Sequence, residues 1–295
     1  MVTPLIKPNK LVIPKVSSAE KTMKQLGFFI DMPMSDYQSH LALSRSGVVD
    51  LLESPSNFWY RHLSKRVRPP EPEYLLLGTL VNDIVLYDQR WIDSHYLVKI
   101  AGNTTVQQEL ASGRTLVNQK LWDEAHYLAD SINENTLAHQ LIHDEGAIPE
   151  PSIFFEELAD NDNPSSIVQV KARPDVVNIE KRYFADIKTI ADMERWSSHA
   201  IDLGYHIQNV MSHYGLQRAK NLSDTEMEDF IFYFIVVDKG TGITHVKVLD
   251  DWYLNKGVSD FNKALLLYHQ CSVNNNWHTV TSTTPPRWAI HKEEA

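Results

Sequence analysis

The sequence contains a single cysteine, Cys271, among its 295 residues. This excludes a disulfide framework, a four-cysteine zinc site and a cysteine-ligated iron–sulfur cluster. No apolar run approaches the roughly 18 residues that a membrane helix needs. The first residues also lack the continuous apolar block of a signal peptide. We therefore expect a soluble protein without a membrane partner, working in a reducing, cytoplasmic compartment.

Positive charge is also scarce, since 28 Lys and Arg residues face 38 Asp and Glu residues and the net charge is -10. This balance argues against nucleic acid as a partner, because phosphate contacts need cations. Binding depends, however, on the local potential in a cleft or channel rather than on net charge. One basic cluster comprises Arg61, Lys65, Arg66 and Arg68. Such a run is either a solvated face or a contact for nucleic acid.

With 43% hydrophobic residues the chain can bury a substantial core. Helix-like and strand-like stretches alternate, which predicts an α/β or α+β fold. Residues 1–33 are interpreted as an N-terminal arm, and residues 34–295 as a single domain. Within that domain we expect a helical portion at 34–145, a sheet with helices at 146–270 and an irregular tail at 271–295.

Hydrophobic spacing predicts the individual elements. Ser44 or Ser46 can cap the first long helix. Three β-branched and aromatic runs separated by turns predict a three-stranded meander. The predicted helices are a buried helix near 74–85, a helix within 116–143, and helices over 192–219 and 251–270. The predicted strands are 151–158, 167–177 and 182–189 in the meander, then 230–237 and 243–249.

The candidate site consists of Asp175 and the triplet Asp186-Ile187-Lys188. Residues two apart in a strand share a face, so Asp186 and Lys188 point together while Ile187 points away. Asp175 precedes the triplet across a short turn, and hairpin pairing can bring it beside Asp186. Two carboxylates with open coordination positions suit Mg²⁺ or Mn²⁺, and Lys188 can orient water or stabilise developing charge. The same spacing also fits an exposed hairpin with a surface salt bridge.

Further motifs surround this site in a fixed order. They are Met34-Ser-Asp-Tyr37, Leu43-Ser-Arg-Ser-Gly47, Ser54-Pro55, Gly78-Thr79, Lys171-Ala-Arg-Pro-Asp175, Asp186-Ile-Lys-Thr189, Tyr205-His-Ile-Gln208 and Pro286-Arg-Trp288. Together, over roughly residues 34–290, they resemble the RecE or exonuclease VIII family of phage and prophage recombination nucleases, within the PD-(D/E)xK superfamily. The resemblance implies a restriction-endonuclease-like core, with a central mixed β-sheet flanked by helices and a helical N-terminal part.

The resemblance also implies roles for the residues at the site. Asp175 and Asp186 become metal ligands, the backbone carbonyl of Ile187 adds a ligand, and Lys188 is the catalytic lysine. Gln208 then bonds a phosphate or a carboxylate ligand and counts as a catalytic residue. The implied cofactor is Mg²⁺ or Mn²⁺.

Three more residues take implied roles with open alternatives. Glu150 matches a glutamate that often stands before the first strand in related nucleases, although it fits a solvated carboxylate equally well. Tyr205 shares a helix face with Gln208 because the two are three residues apart. Tyr205 and Arg173 are implied DNA contacts, whereas His206 points elsewhere and is expected to be structural.

Asn82 departs from the family pattern. The family carries a histidine in G-T-x-x-H that approaches the metal, and this chain has Asn82 there. An amide oxygen can ligate Mg²⁺ or position water, but it is a weaker donor than imidazole for softer metals. The adjacent Asp83 lies about 100° round the helix and does not replace it. Either Asn82 performs the role of the histidine, or the site binds metal more weakly, or the enzyme is impaired.

The function that the resemblance implies is 5′→3′ digestion of double-stranded DNA ends, which leaves 3′ overhangs for recombination by single-strand annealing. It also implies a ring-shaped homo-oligomer and a RecT-like single-strand annealing protein as partner. One alternative is a RecB-like endonuclease or strand-trimming nuclease on the same fold. Another is a non-catalytic DNA-binding or assembly module, which the Asn82 departure would suit.

A ring could carry an acidic exterior and a lumen lined by Arg61, Lys65, Arg66 and Arg68. We therefore predict that DNA affinity falls steeply with added salt, although the sequence pI is about 5.7, because phosphate contacts release counterions. Fluorescence anisotropy with labelled duplex over a salt series measures this. Affinity that does not change with salt would rule out the basic channel.

Overall fold

The structure is a computed structural model that describes residues 26–64, 73–99 and 113–278. Its strands are β1 Gly27–Phe29, β2 Tyr96–Val98, β3 Thr115–Val117, β4 Ala147–Pro149, β5 Ser152–Leu158, β6 Ile167–Ala172, β7 Val176–Asn178, β8 Tyr183–Ile190, β9 Ile231–Asp238 and β10 Thr244–Lys247. Its α-helices are α1 Met34–Ser39, α2 Arg45–Glu53, α3 Pro55–Phe58, α4 Glu73–Leu86, α5 Gln89–His95, α6 Gln119–Glu134, α7 Thr136–His143, α8 Trp196–Asp202, α9 Tyr205–Lys220, α10 Asp224–Met227 and α11 Asp251–Val273. None of the helices in these ranges is long and apolar enough to cross a membrane.

The central sheet is mixed and has the strand order β10-β9-β8-β7-β4. Strands β8 and β9 are parallel, and the other neighbouring strands are antiparallel. A second, antiparallel sheet has the order β1-β5-β6, and β2 and β3 form a short parallel pair. The prediction of an α/β protein with a mixed central sheet between helices is confirmed.

Helices cover both faces of the central sheet. Helices α4, α6 and α7 bury their apolar residues against one face, together with Ala185 and Ile187 of β8. Helices α8 and α9 pack on the other face against Phe184 and Ile190 of the same strand. This alternation is the period-2 pattern of a strand buried on both sides. It places Asp186 and Lys188 on the side of α9.

The predicted three-stranded meander is wrong at its second strand. The run 167–177 forms two strands, and they belong to different sheets, since β6 pairs with β5 and β7 pairs with β8. The break falls at Arg173-Pro174. Proline has no amide hydrogen to donate and cannot continue a strand ladder, so the chain leaves one sheet there and enters the other. Asp175 therefore stands immediately before β7.

Several predicted boundaries also differ from the structure. The helix predicted over 192–219 is two helices, α8 and α9, because the chain breaks at Leu203-Gly204, where Gly204 has a left-handed backbone. The strand β1 lies inside the segment interpreted as an arm, and it pairs with β5. The helix predicted within 116–143 is two helices, because Asn135 ends α6 and caps α7 by accepting the backbone N–H of Ala138 at 3.0 Å. Helix α11 ends at Val273, a little beyond its predicted end. At the start of α2, Ser44 is the residue that caps, by accepting the N–H of Gly47. Residues 1–25 and Pro286-Arg-Trp288 lie outside the described residues.

The backbones of helices α9 and α11 approach each other closely at Gly257. A Cβ atom added to Gly257 would lie 2.4 Å from the backbone oxygen of His206. The buried His206 ring joins the same two helices, because its Nε2 is 3.0 Å from Asp260 Oδ2, while its Nδ1 is 2.9 Å from the Ala200 oxygen. His206 thus has the structural position expected of it. The contact at Gly257 leaves no room for a side chain.

We predict that Gly257→Ala lowers the free energy of unfolding by about 2 kcal/mol or more, because two helix backbones must separate. Gly78→Ala in α4 is the matched control, since its Cβ would meet only Thr189 Oγ1 at 3.5 Å. Alanine favours helix over glycine, so the control should be neutral or stabilising by up to about 1 kcal/mol. Urea denaturation measures both. Equal stabilities for the two variants would contradict the close contact.

Candidate active site

Strand β8 presents Asp186 and Lys188 on one face. Asp186 is only 1% exposed, and its Oδ2 forms a salt bridge with the Lys188 ammonium. Ile187 between them packs into the core on the opposite face. The structure therefore places the three residues as the strand spacing predicts, and it excludes an exposed surface salt bridge.

Asp175 joins this pair from the start of β7. Because Val176 pairs with Ala185, Asp175 stands opposite Asp186. Its Oδ2 accepts the backbone N–H of Ile187 at 2.7 Å. The N–H and carbonyl of one strand residue point to the same side, so the Ile187 carbonyl also faces the edge where Asp175 lies. Two carboxylates, a carbonyl and an ammonium are thus brought to one place.

Two amide side chains bind the two carboxylates. Gln208 of α9 donates from Nε2 to Asp186 Oδ1 at 2.5 Å, and Asn82 of α4 donates from Nδ2 to Asp175 Oδ1 at 3.3 Å. The oxygen of each amide, unlike its nitrogen, has no such partner in the part of the chain that the structure describes. Gln208 Oε1 and Asn82 Oδ1 are buried and have no hydrogen-bond donor among the described residues. Buried polar atoms are nearly always paired, so these two oxygens leave room at the site for a further partner, either a water molecule or a cation.

The charges at the site do not balance. Burial raises the pKa of Asp175 well above its usual value, the neighbouring Asp186 carboxylate raises it further, and Lys188 and the Ile187 N–H only partly oppose this. Burial tends to lower the pKa of Lys188, but the Asp186 and Asp175 carboxylates outweigh burial, so that the pKa is raised overall. One ammonium thus serves two buried carboxylates, which leaves room for further positive charge.

These donors fit a hard divalent cation. Carboxylate, amide and backbone carbonyl oxygens are the ligands that Mg²⁺ and Mn²⁺ prefer. Within the described ranges, no group of three or more His, Cys, Asp and Glu side chains could hold a metal. The candidate set therefore rests on two carboxylates and neutral oxygens. That is sufficient for Mg²⁺, which typically uses one or two carboxylates and keeps several waters.

Tyr205 supports the lysine. The Lys188 ammonium lies 4.9 Å from the centre of the Tyr205 ring, and this ring stacks on Trp196 at 5.6 Å. Tyr205 and Gln208 therefore both face the site from α9. Tyr205 is only 8% exposed, and its ring contacts Lys188; its predicted contact with DNA stays a prediction.

Arg45 is a further cation near the site, and the sequence motifs did not single it out. Its guanidinium carbon lies 5.9 Å from the Tyr205 ring centre. Its Nη1 donates to the backbone oxygen of Leu203 at 2.6 Å. Only the fold reveals it, because α2 and the junction between α8 and α9 are distant in sequence.

Glu150 lies beside the site but is already engaged. Its backbone N–H donates to the backbone carbonyl oxygen of Asp175 at 2.8 Å. Its Oε2 accepts the Tyr87 hydroxyl at 2.5 Å and Arg173 Nη2 at 3.1 Å. The Glu150 side chain is 13% exposed, so it is not a solvated carboxylate. It is a neighbour of Asp175 that carries its own countercharge.

Arg173 is bonded within the chain, and its predicted contact with DNA stays a prediction. Its side chain is 9% exposed. Besides Glu150, Nη1 donates to the Met32 oxygen at 2.9 Å and to Ser152 Oγ at 2.7 Å. Arg173 follows the end of β6, and these bonds turn it inward. It holds Glu150 and the N-terminal segment in place.

Lys171 fastens the same N-terminal segment. Its ammonium donates to the Tyr37 and His40 oxygens, each at 2.7 Å. Lys171 and Arg173 also flank the Tyr37 ring, at 4.7 and 5.6 Å from its centre. The motif Lys171-Ala-Arg173 is thus explained by packing, and only Asp175 at its end belongs to the candidate site.

The predicted basic cluster is described only in part. Arg61 is half-exposed and forms a salt bridge with the buried Asp50. Lys65, Arg66 and Arg68 lie outside the described residues. A DNA channel lined by this cluster therefore stays a prediction.

A mixed sheet between helices, with two aspartates and a lysine meeting at one hairpin, is the arrangement of the PD-(D/E)xK nuclease fold. Residues 44–281 match the family described as "PDDEXK-like domain of unknown function", DUF3799, and the chain belongs to this family. The chain is thereby a member of the PD-(D/E)xK superfamily, whose nucleases generally use divalent metal ions.

The fold is shared with a crystal structure of a Eubacterium rectale protein named "putative exonuclease". The TM-score is 0.57 and the sequence identity 13%, over 89% of this chain and 98% of that one. At this identity the likeness shows the fold alone. No curated protein matches the chain.

We predict that Asp175→Asn stabilises the metal-free protein at neutral pH by about 1–2 kcal/mol, because it removes an uncompensated buried charge. The raised pKa of Asp175 means that the folded state holds this proton more tightly than the unfolded state. Protonation of Asp175 therefore stabilises the folded state, and this stabilisation is lost as the pH rises through the folded-state pKa of Asp175. The benefit of the substitution should shrink at about pH 4, where Asp175 keeps its proton.

Asp50→Asn is the control of opposite sign. Burial tends to raise the pKa of Asp50, but its bonds to His62 and Arg61 outweigh burial and lower it overall. Removing that carboxylate should therefore destabilise the protein at neutral pH. Thermal unfolding in a chelator, at both pH values, measures the two variants. Destabilisation by Asp175→Asn at pH 7 would contradict the charge imbalance.

Proposed function

We propose that this protein is a metal-dependent DNA exonuclease, which digests linear double-stranded DNA 5′→3′ and leaves 3′ single-stranded overhangs. The observation that carries the proposal is the meeting of Asp175, Asp186 and Lys188 at one hairpin of a PD-(D/E)xK fold. The order of motifs that resembles RecE supports the polarity, the ring-shaped assembly and the role in recombination by single-strand annealing beside a RecT-like partner.

The residues at the site divide the work. Asp175, Asp186 and the Ile187 carbonyl would hold Mg²⁺ or Mn²⁺, while Gln208 orients Asp186. A bound divalent ion would supply Lewis-acid polarisation of the phosphate and a lower pKa for bound water. The Ile187 N–H fixes the position of Asp175 by its bond to Oδ2.

Lys188 acts as a cation in this scheme. In the metal-free chain, against the effect of burial, the two carboxylates raise the pKa of Lys188, which favours the ammonium form. It can donate to a phosphate oxygen and stabilise the negative charge that develops as the phosphodiester is attacked. The Tyr205 ring and the Asp186 carboxylate restrict where this ammonium can lie.

Digestion of labelled linear duplex with Mg²⁺ tests the activity. An exonuclease of this polarity should release the 5′ label early as a mononucleotide and retain the 3′ label on a growing single strand. Covalently closed circular DNA should be spared. Cleavage of the circle would favour the RecB-like endonuclease instead. DNA binding without cleavage of either substrate would favour a non-catalytic module.

We predict that Lys188→Ala lowers the digestion rate by about 10³-fold, because a preorganised charge at the phosphate is lost. Lys181→Ala is the matched control, since Lys181 is in the turn of the same hairpin and pairs with Asp144 at the surface. The control should digest DNA at the wild-type rate. Circular dichroism and DNA binding should be unchanged in both variants. Undiminished digestion by Lys188→Ala would refute the assignment of the site.

A further inference from the structure

The side-chain amides of Asn82 and Gln208 make equivalent contacts, each with one of the two aspartates. Asn82 approaches from α4 on one face of the central sheet, and Gln208 approaches from α9 on the other. Each uses its nitrogen to bind one carboxylate, Asp175 for Asn82 and Asp186 for Gln208. Each leaves its oxygen buried without a donor in the described part of the chain. The two orphaned oxygens therefore flank the carboxylate pair.

Burial of an unpaired carbonyl oxygen is costly. The two amide oxygens lie beside two carboxylates that share one ammonium. Each oxygen would have a partner if it contacted a cation, or a water molecule bound to that cation. A metal-bound water is a good hydrogen-bond donor, and Mg²⁺ keeps several of its waters in proteins. Both amides are neutral oxygen donors. With the carboxylates and the Ile187 carbonyl they make a site whose donors are all oxygen atoms.

We infer that Asn82 and Gln208 shift the metal preference of the site towards Mg²⁺, by completing an all-oxygen donor set without the imidazole nitrogen that strengthens binding of ions such as Ni²⁺. Imidazole suits Ni²⁺ and Zn²⁺, whereas carboxylate, carbonyl and water suit Mg²⁺ and Mn²⁺. Asn82 is the position at which a nitrogen ligand can be added to test this, because its side chain already contacts Asp175. This inference rests on the proposed function only in taking Asp175 and Asp186 as the metal ligands.

Calorimetric titration without DNA tests the inference. Mg²⁺ and Ni²⁺ are titrated separately into wild type, Asn82→His and Asn82→Ala. Each titration is repeated with Asp186→Asn added, and only the binding that this change removes is assigned to the site. The subtraction is needed because other groups bind Ni²⁺, such as the exposed pair His139 and His143, whose ring centres are 4.6 Å apart.

Asn255→His is the matched control, since it makes the same substitution at an exposed position of α11. Asn82→His should raise the Asp186-dependent affinity for Ni²⁺ by about tenfold or more, without raising that for Mg²⁺. Asn255→His should leave both Asp186-dependent affinities unchanged. A ratio of Ni²⁺ to Mg²⁺ affinity that is the same in wild type and Asn82→His would overturn the inference.

Asn82→Ala keeps the test decisive if the imidazole disturbs packing. It removes the oxygen without adding bulk, so the Asp186-dependent affinity for Mg²⁺ should fall about tenfold. Gln208→Ala should act in the same direction. Mg²⁺ affinity that survives both alanine substitutions would show that the amide oxygens face no cation, and would also overturn the inference.

The two proposals can fail separately. If the metal preference shifts as expected but no DNA is digested, the nuclease proposal fails and the assignment of the amides stands. If DNA is digested through Lys188 but the preference does not shift, the nuclease proposal stands and the amides have another role.

Discussion

Two carboxylates that must share a buried space are the constraint on which the rest of the site depends. Asp175 and Asp186 face each other across the β7–β8 hairpin, and the Lys188 ammonium pairs with Asp186. The repulsion between the two carboxylates raises the energy of the folded chain when no further cation is present. A bound divalent ion would offset this repulsion.

The surrounding structure holds that pair in place. The break at Pro174 directs Asp175 out of one sheet and into the other, where it meets β8. Gln208 of helix α9 donates a hydrogen bond to Asp186. The position of α9 depends in turn on its close packing against α11 at Gly257. Arg173 and Lys171 tie the N-terminal segment to the end of β6. The motif Lys171-Ala-Arg-Pro-Asp175 thus contains one residue of the candidate site, Asp175, and two residues that hold the N-terminal segment.

The pattern of residues predicted the local geometry well. Alternation along β8 predicted that Asp186 and Lys188 share a face and Ile187 does not, because that depends only on the strand period. The helix period predicted that Tyr205 and Gln208 point the same way. The hairpin between Asp175 and Asp186 followed from the short separation of two strand-like runs.

Other features depend on tertiary packing, and local patterns do not contain it. The strand-like spacing of residues 167–177 gave no sign that β6 and β7 belong to different sheets, although Pro174 is a local signal for the break. The family resemblance implied that Arg173 contacts DNA, and it gave no sign that the fold buries Arg173 against Glu150. The approach of Arg45 to Tyr205, and of Asn82 to Asp175, joins segments far apart in the chain. Helix and strand periods relate only residues that are close in sequence, so they cannot predict these contacts.

Diffraction from crystals soaked in Mn²⁺ tests whether this hairpin is a divalent-cation site. We expect one anomalous peak between Asp175 and Asp186, about 2.1–2.3 Å from an oxygen of each carboxylate. The Lys188 ammonium should lie next to the ion without being one of its ligands. No peak at the hairpin at saturating Mn²⁺, or a peak only elsewhere in the molecule, would show that the two aspartates do not bind the ion.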